Sequence, residues 1–186
     1  NVAMIGSRFD YSKFDDGNLS HSILKDVNFN FASLARTDLS HSDLTGAMGR
    51  EVNFSEANLE KTSLSLVNFE SVNFIRSTLV GAKLFGASVR KGNFHFAVVD
   101  HADFKGADLR GANLHFVSSI GVKFKGAKVL GALVNTNNEA LYEASLSKKV
   151  KKFNDAQDLF EDSRMGVLKN KSRLASLLMG MIYTAL

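Results

Sequence analysis

The feature that most constrains this chain is a period of five. Large apolar residues stand at Phe9, Phe14, Leu19, Leu24, Phe29, Leu34, Leu39 and Leu44. They continue through Phe54, Leu59, Leu64, Phe69, Phe74, Leu79, Leu84, Val89, Phe94, Val99, Phe104, Leu109 and Leu114 to Phe124, Val129 and Val134. Of the 26 in-frame positions only Gly49 and Ser119 break the rule, and no insertion shifts the frame. The residue two places before each centre is Ala, Val, Ser, Thr or Gly in all 26, and the residue between them is Asn, Asp, Ser or Thr in 17. Ala102 to Leu114 shows the pattern most cleanly.

Residues two apart on an extended chain share a side, so the small residue and the centre point inward together while the residue between them points out. A helix is excluded, because its apolar residues recur near 3.6 and a strict period of five drifts around its whole circumference. Each quintet is then one short extended side plus a corner, and glycine occupies that corner at Gly46, Gly81, Gly86, Gly106, Gly111, Gly121, Gly126 and Gly131, where a positive φ costs it little. A chain that turns by the same corner every five residues winds into a solenoid. The absence of proline suits an unbroken ladder of backbone hydrogen bonds.

Over residues 7 to 136 the pattern resembles the pentapeptide repeat family, whose motif is Ala-(Asp/Asn)-Leu-X-X. The resemblance implies an all-β solenoid, a right-handed quadrilateral parallel β-helix with four quintets per coil. Residues 20 apart then stack, giving about six and a half coils and a rod on the order of 31 Å long. Sorted by 20, one column of centres reads Phe14, Leu34, Phe54, Phe74, Phe94, Leu114, Val134 and its neighbour Phe9, Phe29, Gly49, Phe69, Val89, Leu109, Val129. A third reads Leu19, Leu39, Leu59, Leu79, Val99, Ser119, with no phenylalanine. The four sides are therefore not equivalent.

Residues 1–136 are expected to form the β-helix, with Val2, Met4 and Ile5 in a short N-terminal cap. Residues 137–186 are expected to form a short α-helical C-terminal segment. Asn135 to Asn138 reads as a helix-capping cluster, and Asn154 with Gln157 as a second cap. The stripe Leu174, Leu177, Leu178, Met181, Ile182 has helical spacing and is too short to span a bilayer. It is expected to cap the last coil, the alternative being a homodimer interface.

Without cysteine the chain has no disulfide, thiolate metal site or thiol nucleophile. His21 and His41 lie one coil apart with His101 in the same column, but two ligands do not make a metal site. No phosphate loop, triad or Cys/His signature is present, so no catalytic residue, cofactor or metal is expected, and the chain reads as a non-enzyme.

The candidate partner-binding residues are outward-facing. His95-Phe96 and His115-Phe116 repeat one coil apart, and stacked exposed aromatics mark a surface that becomes covered, either by the chain's own C-terminal helices or by a partner. Arg90 falls under Arg110 and Lys105 under Lys125, like charges that need an anion between them. That anion is either the chain's own Asp155, Asp158, Glu161 and Asp162 or an acidic partner. Residues 1–80 carry 7 Lys and Arg against 10 Asp and Glu, whereas residues 81–134 carry 8 against 3.

The expectation is a non-catalytic protein–protein interaction scaffold that serves as the partner-recognition module of a larger bacterial protein. The family occurs in this way in secreted effectors, where it precedes a ubiquitin-ligase-like region. The alternative is a stand-alone protein acting on DNA gyrase or topoisomerase. Members of the family that inhibit gyrase resemble duplex DNA through an acidic surface, and the net charge of +4 here has the wrong sign. Nucleic acid is not the expected partner, and the bacterial cytoplasm and secretion into a host cell both remain open.

Overall fold

The computed structural model describes residues 1–134; residues 135–186, which hold the expected helices, the stripe Leu174 to Ile182 and the acidic cluster Asp155 to Asp162, lie outside the described part. The described residues form coils of 20. Parallel bridges pair Asn53 with Asn73, Asn73 with Asn93 and Asp103 with Lys123. The longer pairings are β1 (Met48–Arg50) with β2 (Asn68–Glu70) and β3 (Asn113–Leu114) with β4 (Leu133–Val134). Each rung is held from above and below. Phe74 N–H donates to Asn93 O at 2.7 Å, and Asn73 N–H to Val52 O at 2.9 Å.

Four corners close each coil. The carbonyl of a centre accepts the N–H of the residue three later, as in Ala57 to Phe54 at 3.1 Å, and the residue before that donor has positive φ. This is the geometry of a type II turn. The positive φ recurs at every corner from Gly6 to Gly131, 17 of them non-glycine, including Tyr11, His21, Phe31, Leu66, Phe96 and Phe116, and the turn hydrogen bond closes most of them. Glycine marks some of these corners in the sequence, but the repeat imposes the left-handed backbone on all.

The coil has four faces, numbered in chain order by their centres: face 1 carries Phe29 and Phe69, face 2 Phe54 and Phe74, face 3 Leu39 and Leu59, and face 4 Leu44 and Leu64. These centres are fully buried. Face 2 stacks its rings along the axis, Phe54 on Phe74 at 5.3 Å and Phe74 on Phe94 at 4.9 Å between centroids. Gly49 interrupts face 1 because a Cβ there would come 2.6 Å from Val52 Cγ2; the larger Val at a small-residue position fills the missing volume.

Two details go beyond the inward–outward alternation. The outward Asn or Asp is bent back onto its own corner, its Oδ1 accepting the N–H two residues on. Asn53 does so for Ser55 at 3.1 Å and Asn73 for Ile75 at 3.0 Å, and nine other quintets repeat the bond. This preference for Asn and Asp is turn chemistry. At Thr37, Ser42, Thr62 and Ser77 the small inward residue is a buried Ser or Thr whose hydroxyl is satisfied by a turn carbonyl, as Thr37 Oγ1 donates to Phe14 O at 2.8 Å.

The N-terminal cap is corrected. Met4 N–H donates to Ile23 O and Gly6 N–H to Lys25 O, each at 2.9 Å, and Ala3 bridges Ile23. Residues 1–8 therefore belong to the coil itself, with Met4 a face 4 centre packed on the core, while Val2 and Ile5 are exposed.

Candidate interaction surfaces

The edge between faces 2 and 3 carries an aromatic ridge. The asparagine ladder of face 2 builds it: Asn113 Nδ2 donates to Asn93 Oδ1 at 3.2 Å, while Asn93 and Asn113 accept the backbone N–H of His95 and His115. This sets both imidazoles one position before the corner and puts Phe96 and Phe116 at the corner itself, with φ of 58° and 57°. The two phenyl rings stack at 5.2 Å and 18°. His95 packs against Phe96 at 4.2 Å and edge-on to Phe116 at 5.5 Å. Phe96 and Phe116 remain 48% and 58% exposed, and His95 Nδ1 is buried without a hydrogen-bond partner among the described residues.

The charged candidates separate into two groups. Arg110 is engaged by Asp108, with Nε to Oδ1 at 2.8 Å and Nη2 to Oδ2 at 2.5 Å. That bidentate bond is the main reason the Asp108 carboxyl is held below its ordinary value and the Arg110 guanidinium above. Lys105 lies 3.7 Å from Asp103. The like-charge stacks expected from the sequence are therefore partly met from within the same quintet, whose carboxylate stands two residues earlier. Arg90 and Lys125 have no carboxylate within ion-pair distance among the described residues.

His21 and His41 stack face to face, centroids 4.9 Å apart and rings 2° from parallel. Among the described residues no third donor joins them in a metal-sized group, and no described helix is long and apolar enough to cross a membrane.

A parallel solenoid of 20-residue coils with four positive-φ corners each defines the protein as a β-solenoid repeat protein. The family model for pentapeptide repeats matches eight copies, over residues 12–47, 53–90 and 93–126, and the chain belongs to that family. Among solved structures it is similar to QnrB1, described as a plasmid-mediated fluoroquinolone resistance protein, at 17% identity and a TM-score of 0.51, covering 70% of this chain and 71% of that one. HetL, from the cyanobacterium Nostoc sp. strain PCC 7120 and involved in heterocyst differentiation regulation, matches at 21% identity, with a TM-score of 0.31 and coverage of 72% and 83%. Rfr23 from the cyanobacterium Cyanothece 51142 matches at 21% identity, with a TM-score of 0.34 and coverage of 73% and 88%. No curated protein matches the chain by sequence.

Proposed function

We propose that the chain is a non-catalytic protein–protein interaction scaffold whose ridge of Phe96 and Phe116, with His95 and His115, engages a protein partner. The observation that carries this reading is the exposed Phe96–Phe116 stack. The ladder below holds these side chains in place, so little ordering entropy remains to be lost on binding. Aromatic anchors of this kind carry most of an interface's energy. The role is the same for a chain acting alone and for the recognition module of a longer bacterial protein of the effector type. Phe96→Asn with Phe116→Asn tests it, since asparagine tolerates the left-handed corner. The double variant should retain the wild-type melting temperature and lose the partner that the wild type retains on a column. Unchanged retention of that partner would reject the ridge.

The gyrase-directed alternative rests on fold alone. The cations of residues 81–134 oppose it, because a duplex mimic must present anions. Protection or inhibition of gyrase in a supercoiling assay, abolished by surface substitutions, would make it the better reading.

A further inference from the structure

The four faces sort the charge of the later coils in a way the linear sequence conceals. All eight Lys and Arg of residues 81–134 fall on two adjacent faces and their edges: Lys83, Lys105, Lys123 and Lys125 on face 4, Arg90, Lys91, Arg110 and Lys128 on face 1. Faces 2 and 3 carry none. The seven cations of residues 1–80 are spread over all four faces, and five are paired with carboxylates. In the later coils Lys83, Arg90, Lys123, Lys125 and Lys128 have no such partner among the described residues. Lys123, Lys125 and Lys128 are exposed and flank one edge, that between faces 4 and 1, diagonally across the coil from the aromatic ridge.

This edge is bare backbone. Its corners are Gly86, Gly106 and Gly126, and a Cβ at Gly106 or Gly126 would meet only backbone atoms, 3.8–4.0 Å away. At its lower end stand Phe85 and Leu66, 57% and 60% exposed. Leu66 leans onto the glycine column, since a Cβ at Gly86 would come 3.0 Å from its Cδ2. Phe85 lies two coils below Lys125, about 10 Å at the spacing of neighbouring strands, the reach of about three residues of extended chain.

We propose that the edge between faces 4 and 1 binds an acidic polypeptide segment, its carboxylates on Lys123, Lys125 and Lys128 and a large apolar side chain about three residues away on Phe85 and Leu66. The apolar pair favours polypeptide over nucleic acid, since a phosphate backbone has no group to cover it. This surface is separate from the aromatic ridge and does not depend on it.

Fluorescence anisotropy on the full chain tests the assignment with three labelled probes: an acidic peptide with leucine three residues before a cluster of glutamates, the same peptide with that leucine as serine, and a short DNA duplex. The leucine peptide should bind tightest. Lys123→Glu, Lys125→Glu and Lys128→Glu together should weaken it by about tenfold or more, with strong salt dependence. Phe85→Ser should reduce it to the level of the serine peptide. Failure of the leucine peptide to bind, indifference to the lysine reversal, or tighter duplex binding that ignores Phe85→Ser would overturn the proposal. Phe96→Asn with Phe116→Asn should leave this binding unchanged, so the ridge and the basic edge fail independently. Thermal melts confirm that each variant is folded.

Discussion

The coils built from residues 1–80 and those from residues 81–134 share one backbone and differ in what their side chains are committed to. In the first region the corners are almost all non-glycine, with only Gly6 and Gly46 as exceptions up to Arg76; in the second, seven of eleven corners are glycine. A non-glycine residue in the left-handed region costs about 1–2 kcal/mol, and the early corners offset part of this by stacking on the coil above. Tyr11 lies on Phe31 at 5.1 Å, His21 on His41 at 4.9 Å, and Arg36 forms a fork with Asp16 at 2.6 and 2.7 Å. Early side chains are spent on one another; the later coils take a cheap backbone and leave side chains uncommitted. The same contrast appears in the cations, which among the described residues are mostly paired with carboxylates in the early coils and mostly not in the later ones.

The largest expected effect is common to both regions and tests the shared core. Phe74→Ala, which empties a site between Phe54 and Phe94, should cost about 3–5 kcal/mol in denaturant unfolding. A loss under about 1 kcal/mol would mean that the face 2 column tolerates a gap and is not a continuous stack.

Next come the corners, where the two regions should respond with opposite signs. Gly106→Ala brings its Cβ no closer than ordinary contact, 4.0 Å from Gly86 N, so any loss reflects backbone strain alone, about 1–2 kcal/mol. Ser71→Gly, at a corner with φ of 55°, should stabilise by up to about 1 kcal/mol, strain relieved less the added entropy of the unfolded chain. His41→Gly should gain less than Ser71→Gly because it also removes the stack on His21. Equal gains at Ser71 and His41 would show that the stacks contribute nothing.

The smallest effect is electrostatic. The Asp108 carboxyl is held below its ordinary value, chiefly by its hydrogen bond to Arg110. A depressed folded-state pKa contributes stability that is present above the unfolded carboxylate value and lost as pH falls through the folded one. Asp108→Asn should therefore be less stable than the wild type near neutrality and converge with it in acid. Asp16, depressed chiefly by Arg36, should behave alike in the early coils. Parallel curves for either variant down to strong acid would remove the pair from the stability balance.

The period of five made the solenoid and its inward residues legible, because burial acts on every quintet and leaves one mark at the same place in each. The column of Phe54, Phe74 and Phe94 and the facing of His95-Phe96 over His115-Phe116 followed from counting by 20. Positive φ at Tyr11, Leu66 or Phe116 was hidden, because the repeat enforces it whatever residue sits there and only glycine advertises it. The pairing of Arg110 with Asp108 was hidden because counting by 20 sets Arg110 against Arg90 and passes over contacts within one quintet, where the carboxylate two residues earlier takes both guanidinium bonds. Met4 reads as a cap in the sequence because no quintet precedes it to establish the frame, yet its backbone joins the ladder and its side chain the core.

The uniform corner also makes insertion length a control of direction. Twenty added residues would lengthen the coil and leave every later side chain on its face. Five added residues would carry everything after them one side around, so an aromatic ridge at residues 95–116 would turn a quarter of the circuit away from the columns below it. A lineage that gains or loses single quintets could thus re-aim a finished binding surface without altering any residue in it.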